Sequence, residues 1–207
     1  MDPAVRAVLD EYHARDAWER PIQRSLLGSP DYERRRNEFL LSVGAEVGQL
    51  LGILIKAVRA QVIVEVGTSY GYSTVWLAEA ARTTGGKVYS LELDAGKVSY
   101  ARAMLEKAGL GGQVEFLLGD AIASLTALRA TVDFVLIDLW KELYVGTFQA
   151  VRPHLRAGAL VAADNILFPE QYRALSADYV AAVKAAGDFE TVTLPVGHGV
   201  ELSRLNG

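Results

Sequence analysis

The sequence predicts an α/β fold: a doubly wound, mostly parallel sheet of seven strands with helices on both faces, N-terminal helices and a C-terminal antiparallel hairpin. Three observations predict it. The first 59 residues have helical patterns, strand and helix patterns alternate from residue 61 to residue 187, and two strand patterns close the chain. An alternation of strands and helices requires crossover connections, which make the strands parallel, whereas two strands joined by a short turn are antiparallel.

Composition favours one globular domain that spans residues 1–207, with a helical cap (1–59) and a core (60–207). Apolar residues make up 51% of the chain and charged residues 22%, which is typical of a packed domain. The net charge of −4 argues against a nucleic-acid partner, since nucleic-acid binders usually carry a basic face. There is no cysteine, which excludes disulfides, thiolate zinc sites and cysteine nucleophiles.

The N-terminal region predicts three helices, over residues 3–15, 32–41 and 47–58. The chain begins MDPAVRAVLDEYHARD, which is too charged for a signal peptide. The longest apolar stretch, 40–58, is interrupted by Glu46, Gln49 and Lys56, so a buried helix is favoured over a membrane span. We therefore expect a soluble cytoplasmic protein with no membrane partner.

The elements after residue 60 follow in order. The run QVIVEVG (61–67) is continuously apolar and β-branched, as in a strand buried on both faces, and STVWLAEAAR (73–82) has helical spacing. Further strands are predicted over 87–94, 114–120, 133–138 and 159–164, and further helices over 95–108, 141–155 and 169–187. The segment 189–205 predicts two strands joined by Gly197-His198-Gly199, which is a hairpin signal.

Acidic residues stand at the ends of five consecutive predicted strands: Glu65, Glu92 with Asp94, Asp120, Asp138, and Asp164 with the amide Asn165. A single aspartate at such a position could simply cap the next helix. Acids at five strand ends would line one edge of a parallel sheet, which is where such sheets bind ligands.

The bend after the first strand indicates which ligand that edge prefers. Gly67 and Gly71 allow a tight turn and a close backbone approach to a ligand. A dinucleotide fingerprint would have glycine where this chain has Ser69, and the acid Glu65 would repel a phosphate but suit an ammonium group. The carboxylate of Glu92, 25 residues after Gly67, can accept both hydrogens of a ribose diol. The bend therefore favours S-adenosyl-L-methionine over a dinucleotide or an empty turn.

The same residues carry a family resemblance. VEVGTSYGYSTVWLA followed by LELD resembles the first two motifs of the class I methyltransferase fold. VLIDLWKELY and HLRAGALVAADNILFP resemble the metal-dependent catechol O-methyltransferase family and, more loosely, the caffeoyl-CoA O-methyltransferases. LLSVGAEVGQLL is similar to the family's cofactor-covering helix, so the similarity runs from about residue 40 to the C-terminus. It implies a Rossmann-like fold and methyl transfer from S-adenosylmethionine to a hydroxyl of a small catechol-like or hydroxylated aromatic acceptor.

The resemblance also implies a set of cofactor-binding positions. They are Val43, through its backbone; Glu65, Gly67, Thr68 and Ser73, around the methionine end; Glu92, at the ribose; Asp120 and Ala121, at the adenine edge; Asp138, as a nucleoside contact; and Trp140, against the adenine. Each of them could instead be an ordinary core or turn residue.

A metal site is predicted at the ends of the fourth and fifth strands. Asp138 and Asp164 end these strands, which should be neighbours, so two carboxylates and the amide oxygen of Asn165 can converge. Such oxygen ligands suit Mg²⁺, or Ca²⁺ if the site is loose, and the lack of cysteine and histidine in these motifs disfavours zinc. The alternatives are that the acids cap helices, or that Asp138 contacts a nucleoside instead of a metal.

Lys141 follows Asp138 by three residues, which places its amine near the metal and makes it the candidate catalytic base. A nearby cation would lower the pKa of Lys141, so that it could accept the proton of a phenolic hydroxyl. A vicinal diol fits best, because its second hydroxyl can stay on the metal. The alternative is a solvated helix lysine that pairs with Glu142 or another surface acid.

The acceptor and the assembly stay open. In the resembled mammalian-type catechol methyltransferases, the loop between the last two strands is longer and carries an acid for the second substrate hydroxyl. Here the turn is only PVGHG, closer to the caffeoyl-CoA type, and has no match for that acid. His198, at this turn, either faces the substrate or is exposed to solvent. The arginines Arg34–Arg36 either recognise an anionic acceptor or form a solvated helix face. The resembled relatives allow either a homodimer or a single chain.

Two other functions are weighed. One is a metal-independent small-molecule methyltransferase. The other is a nucleic-acid methyltransferase, which is disfavoured because Asp138-Leu139-Trp140-Lys141 stands where such an enzyme would have an Asn-Pro-Pro-Tyr-like motif.

Overall fold

The computed structural model describes residues 1–207, and its seven strands form one sheet. The strands are β1 (Val62–Val66), β2 (Lys87–Glu92), β3 (Val114–Leu118), β4 (Val132–Ile137), β5 (Leu155–Ala163), β6 (Phe189–Leu194) and β7 (Val200–Leu205). The helices are α1 (Pro3–Leu26), α2 (Pro30–Arg35), α3 (Ala45–Ala57), α4 (Tyr72–Thr84), α5 (Ala95–Lys107), α6 (Ala121–Ala127), α7 (Tyr144–Val151) and α8 (Arg173–Ala185). Short 3₁₀ turns cover Arg36–Glu38, Gly111–Gln113, Lys141–Leu143, Arg152–His154 and Glu170–Tyr172.

The strand order, β3-β2-β1-β4-β5-β7-β6, confirms the predicted sheet. The strands β1 to β5 pair in parallel, and β7 is antiparallel to both β5 and β6. The chain runs outward from β1 to β3 on one side and then continues with β4 on the other side of β1. The order therefore reverses between β1 and β4, and in such sheets ligands bind beyond the carboxyl ends of the strands at the reversal.

Two apolar layers cover the sheet. On one face, Ile63 of β1 belongs to a cluster with side chains of α1, α3, α4 and α5, such as Leu9 and Leu77. On the other face, Val64 belongs to a cluster with side chains of α7 and α8, such as Phe148. Because β1 and β4 are buried from both sides, their sequences are apolar runs interrupted only by Glu65 and Asp133, rather than alternating ones.

Helix α1 is longer than the sequence predicted, because it continues to Leu26 instead of ending near residue 15. Its buried apolar positions recur at helical spacing only as far as Tyr12. Beyond that point the helix is supported by ion pairs between residues four apart, such as Arg15 and Glu19 at 2.6 Å. None of the helices, α1 included, is both long and apolar enough to cross a membrane.

Helices α2 and α6 also differ from the prediction. The helix predicted over 32–41 is shorter, since α2 begins at Pro30 after the N-cap Ser29, ends at Arg35, and the chain is extended at Phe39. Helix α6 has no counterpart among the predicted elements. It has only seven residues, and the carboxylate of Asp120 caps it by accepting the N–H of Ala123 at 2.8 Å.

Candidate active site

A cavity of about 440 Å³ opens at the carboxyl ends of β1 to β4, where the strand order reverses. Seven of the positions expected at the site lie on its wall: Gly67, Glu92, Asp120, Ala121, Asp138, Trp140 and Asn165. The other expected positions are Val43, Glu65, Thr68, Ser73, Lys141 and Asp164, and all of them are buried behind the wall. Asn37, Leu41, Ser69 and Leu143 also line the cavity, although the sequence did not single them out for it.

The bend after β1 is held tightly against its neighbours. The N–H groups of Gly67 and Thr68 both donate to the carbonyl of Leu91, at 3.1 Å each. Gly67 has a φ of +103°, and a Cβ at this position would lie 1.9 Å from the carbonyl oxygen of Asp138. Only glycine fits here, because the ends of β1, β2 and β4 approach one another at this point.

The carboxylate of Glu92 is fixed at the cavity wall by backbone groups. Its Oε2 accepts the N–H of Ser69 at 2.7 Å, and its Oε1 accepts the N–H groups of Leu93 and Asp94 at 2.9 and 3.0 Å. A carboxylate oxygen has about two lone-pair sites, so Oε2 retains room for a ligand hydroxyl. The arrangement therefore presents a rigid acceptor of the kind that a ribose diol requires.

Two of the strand-end acids have capping roles. Asp94 caps α5 by accepting the N–H groups of Gly96 and Lys97, and Asp120 caps α6. Both acids also line the cavity. Capping and ligand contact are therefore compatible at these positions, since each carboxylate has a second oxygen.

Glu65 lies beneath the bend rather than at its surface. Its side chain is fully buried, and its carboxylate accepts the hydroxyls of Ser73, Thr74 and Ser90 at 2.6, 2.6 and 2.5 Å. Burial raises the pKa of Glu65 to about 7, although these three hydrogen bonds act in the opposite direction. In this structure the carboxylate supports the bend from below, and its contact with a ligand ammonium stays a prediction.

Thr68, Ser73 and Val43 are likewise occupied inside the protein. The hydroxyl of Thr68 bonds that of Ser90 at 2.5 Å, and the hydroxyl of Ser73 donates to Glu65. Val43 is buried in the apolar layer, and Leu41, with a φ of +48°, lies on the cavity wall instead. Contacts of these three residues with a cofactor stay predictions.

Asp138 and Asp164 follow adjacent strands and are held by main-chain bonds. The N–H of Asp138 donates to the carbonyl of Val66 at 2.9 Å, and the N–H of Asp164 donates to the carbonyl of Ile137 at 3.1 Å. The side chain of Asp164 is buried, and neither of its carboxylate oxygens has a hydrogen-bond partner. Burial raises the pKa of both carboxyls, and the charge of Asp138 raises that of Asp164 further. Unpaired buried carboxylates are costly, so the pair suits a cation.

Lys141 is a buried residue, which excludes the alternative of a solvated helix lysine. Its Nζ donates to the carbonyl of Asp164 at 2.8 Å and to the hydroxyl of Tyr144. Burial lowers the pKa of Lys141 to about 8, against the opposite effect of Asp138 and Asp164. Tyr144 was not expected at the site, although its i+3 spacing from Lys141 in a helical segment could have indicated the contact.

Asn165 completes the polar end of the cavity. It adopts a φ of +56°, which asparagine tolerates better than most residues, and its Nδ2 lies 3.4 Å from Nδ1 of His198. The His198 ring packs against that of Phe168 at 4.8 Å between centroids. His198 therefore stands beside the candidate metal site, although its side chain is largely exposed.

The residues present fit a hard divalent cation better than a transition metal. No group of three histidine, cysteine, aspartate or glutamate side chains comes together anywhere in the chain in a way that could hold a metal. The candidate set is instead two carboxylates, from Asp138 and Asp164, and the amide of Asn165. Oxygen donors of this kind, with the remaining positions left to water or substrate, are what Mg²⁺ prefers.

Known proteins resemble both the sequence and the fold. The chain is 35% identical over 128 residues to a catechol O-methyltransferase of Mycobacterium tuberculosis, and the match covers 61% of this chain but only 58% of that protein. It is 27% identical over 186 residues to caffeoyl-CoA O-methyltransferase 5 of Nicotiana tabacum, covering 80% of this chain and 77% of that one. The O-methyltransferase TomG of Streptomyces achromogenes, solved in complex with SAM, has a TM-score of 0.77 at 25% identity and covers 100% of this chain and 91% of its own.

The sequence profile of the O-methyltransferase family matches residues 32–205, which include every residue on the cavity wall. The matched range begins after α1 and ends at the last residue of β7. The chain therefore belongs to the O-methyltransferase family.

Proposed function

We propose that this protein transfers a methyl group from S-adenosylmethionine to one hydroxyl of a small catechol-like or hydroxylated aromatic acceptor, assisted by Mg²⁺ or another divalent cation. The cofactor assignment is supported by the bend at Gly67, which lacks a dinucleotide fingerprint, and by the rigid carboxylate of Glu92. It agrees with the SAM complex of the similar protein TomG. The acceptor class is supported by the names of the catechol and caffeoyl-CoA relatives.

The observation that carries the proposal is the pair of unpaired, buried oxygens of Asp164. A buried carboxylate is normally hydrogen-bonded or bound to a metal. Here the neighbouring groups are a second acid, Asp138, and the amine of Lys141, which bonds the main chain of Asp164 rather than its carboxylate. We assign Asp138, Asp164 and Asn165 as the ligands of the cation. When bound, a divalent cation stabilises the anionic form of a hydroxyl that it contacts.

Lys141 is the group to which we assign the acceptor's proton. Methyl transfer breaks the bond between sulfur and methyl carbon and forms a bond between that carbon and the acceptor oxygen. The sulfonium thereby becomes a neutral thioether, and the hydroxyl proton passes to Nζ of Lys141. Burial favours the neutral amine that this step needs, and the carbonyl of Asp164 orients it.

The cavity walls supply alignment. A bound cofactor would be held by Glu92 at its ribose and by Asp120 and Ala121 at its adenine edge, and these residues line the same cavity as Asp138 and Asn165. Trp140 lines the same cavity. Alignment of the reacting atoms can itself be worth about 7–11 kcal/mol in favourable cases.

The test is methylation of 3,4-dihydroxybenzoate by the purified protein with S-adenosylmethionine, measured with EDTA and after addition of Mg²⁺. We expect EDTA to abolish turnover and Mg²⁺ to restore it. Asp164→Asn should lose the Mg²⁺-dependent turnover while keeping the affinity for S-adenosylmethionine, measured by calorimetry. Asp178→Asn is the matched control, because Asp178 is an exposed aspartate of α8 with no hydrogen bond or ion pair.

Three results would contradict the proposal. Turnover that resists EDTA would favour the metal-independent alternative. Methyl transfer to RNA but to no diol would favour the nucleic-acid alternative. If Asp164→Asn kept the Mg²⁺-dependent turnover, the cation would have to be bound by other residues.

A further inference from the structure

We propose that the acceptor carries an anionic group, and that Arg36 binds this group at the end of the cavity next to Asn165. The inference rests on the proposed function, because it assigns the substrate class of the same site. The sequence alone does not distinguish Arg34, Arg35 and Arg36, because three consecutive arginines look equivalent there.

The structure separates these three arginines. The side chain of Arg34 is 74% exposed and pairs with Asp31 on the surface of α2. Arg35 pairs with Glu38 at 2.9 Å and lies over the ring of Phe39, also near the surface. Arg36 is only 23% exposed, and its guanidinium carbon lies 3.8 Å from the centre of the Trp140 ring. Only Arg36 is therefore folded onto a residue of the cavity wall.

Arg36 also contacts the segment between β5 and α8, which begins with Asp164 and Asn165. One of its Nη atoms lies 3.4 Å from the hydroxyl of Tyr172, in the 3₁₀ turn that follows Phe168. Phe168 packs on His198, which contacts Asn165. The next residue along the chain from Arg36, Asn37, lines the cavity itself. The adenine-edge candidates Asp120 and Ala121 lie instead beyond the end of β3.

The guanidinium of Arg36 is held in position, but not all of its N–H donors have a hydrogen-bond partner. The same Nη atom that contacts Tyr172 also forms the ion pair with Glu33, at 3.1 Å. The other Nη and Nε make no hydrogen bond in the structure. An arginine has five N–H donors in a planar fork that matches a carboxylate, so this fork has donors to offer. Stacking on Trp140 fixes the plane of the guanidinium.

The partner that fits is an aromatic vicinal diol with a carboxylate on or near its ring. The diol would lie at Asp138, Asp164 and Asn165, and the ring beside Trp140. The carboxylate would then reach Arg36 in a bidentate pair, the strong form of this interaction. A diol with an ammonium group would be repelled by the same residue, so charge decides between acceptors of similar shape.

The experiment compares three diols of different charge: 3,4-dihydroxybenzoate, catechol and dopamine. Each is assayed with the wild-type protein, with Arg36→Met and with the control Arg34→Met, which removes an arginine from the same run. We expect the wild type to prefer the anionic acceptor. Arg36→Met should raise the KM for 3,4-dihydroxybenzoate about tenfold or more. It should leave the KM for catechol and the kcat values nearly unchanged, and it should lower the KM for dopamine. Arg34→Met should change none of these values. Arg36→Lys, which keeps a charge but not the fork, should be intermediate.

Equal effects of Arg36→Met on the anionic and the neutral diol, or none on either, would overturn the inference while the proposed function stands. A second measurement separates the two claims. Calorimetric titration of 3,4-dihydroxybenzoate into protein with S-adenosylhomocysteine and Mg²⁺ records binding without turnover. If no diol is methylated, yet the acid binds more tightly than catechol in an Arg36-dependent way, the proposed reaction is wrong and the anion site is supported. If the acid and catechol bind equally well, the anion site is refuted whatever the turnover shows.

Discussion

The Nζ of Lys141 lies 2.8 Å from the main-chain carbonyl oxygen of Asp164, so the candidate base is bound to the backbone of the candidate metal ligand. The same carbonyl oxygen accepts the hydroxyl of Tyr144 at 3.0 Å. Two donors thus converge on one main-chain atom at the end of β5. The position of the amine is therefore set by the sheet, and a flexible surface pair could not hold it in the same way.

Lys141→Met should lower turnover by about 10² to 10⁴-fold, which is the usual contribution of a positioned general base. Affinity for S-adenosylmethionine should be kept, because Lys141 is not on the cavity wall near Glu92. Lys141→Arg should fail as well, since a guanidinium does not lose its proton in proteins. Single-turnover rates with 3,4-dihydroxybenzoate, together with calorimetry of cofactor binding, check both statements. Turnover that survives Lys141→Met would require another base.

Gly67→Ala should destroy cofactor binding and destabilise the fold, because the new Cβ would lie 1.9 Å from the carbonyl oxygen of Asp138. Either the bend or the end of β4 must move. The matched control is Gly109→Ala, because Gly109 also has a positive φ, of +68°, but has no atom near its Cβ position. Gly109→Ala should cost only the backbone strain, about 1–2 kcal/mol.

Urea unfolding and calorimetry with S-adenosylmethionine distinguish the two glycine variants. The expected order is a clearly larger loss of stability for Gly67→Ala, with cofactor affinity lost in that variant alone. Similar losses of stability and cofactor affinity in both variants would mean that Gly67 is not required by the close approach of β1 and β4.

The sheet was predictable from the sequence because its signals are local. Each buried strand is a short apolar run, and each parallel crossover needs a helix after it. The second half of α1 was not predictable in this way, because charged pairs such as Arg15 and Glu19 support it without an apolar stripe. Helix α6 was not predictable for a related reason, since seven residues contain too few turns to show a helical period.

The edge that carries the site was also predictable, since parallel strands all present their carboxyl ends to it. Which way each side chain points at that edge was not. Glu65 turns inward because three hydroxyls meet it there, one of them from Ser90 on the neighbouring strand. The contact between Arg36 and Trp140 joins residues far apart in the sequence, and no pattern in either segment predicts it.

Glu65 should make stability fall as pH rises. Burial raises its pKa to about 7 in the folded protein, above the ordinary value of 4.5, so the folded state holds the proton more tightly. Its contribution to stability is therefore fully present below about pH 4.5 and is lost as pH rises through 7. Integrated over this window, the loss is about 2–3 kcal/mol between pH 5 and pH 8.

The measurement is the free energy of unfolding of the wild type and of Glu65→Gln in urea, without cofactor, at several pH values from 5 to 8. Gln has nearly the same shape as Glu and does not titrate. The difference between the two proteins should change by about 2–3 kcal/mol in favour of Glu65→Gln as pH rises. Other acids contribute equally to both proteins and cancel. Parallel curves would show that Glu65 does not hold a proton in the folded state.

Tyr12→Phe should weaken cofactor binding although Tyr12 lies on α1, outside the range that the family profile matches. The buried hydroxyl of Tyr12 donates to the carbonyl of Tyr70, in the bend, at 2.6 Å, and Arg15 from the next turn stacks on the Tyr70 ring at 3.9 Å. Loss of the hydroxyl removes one hydrogen bond, worth about 1 kcal/mol, from the segment that Gly67 begins. We expect a loss of stability of that size, faster hydrogen exchange at the bend, and a several-fold weaker affinity for S-adenosylmethionine by calorimetry.

The control is Tyr89→Phe, because the hydroxyl of Tyr89 on β2 makes no hydrogen bond in the structure. If Tyr12→Phe lowers stability but leaves the bend's hydrogen exchange and the cofactor affinity at wild-type values, α1 supports the core without ordering the cofactor site.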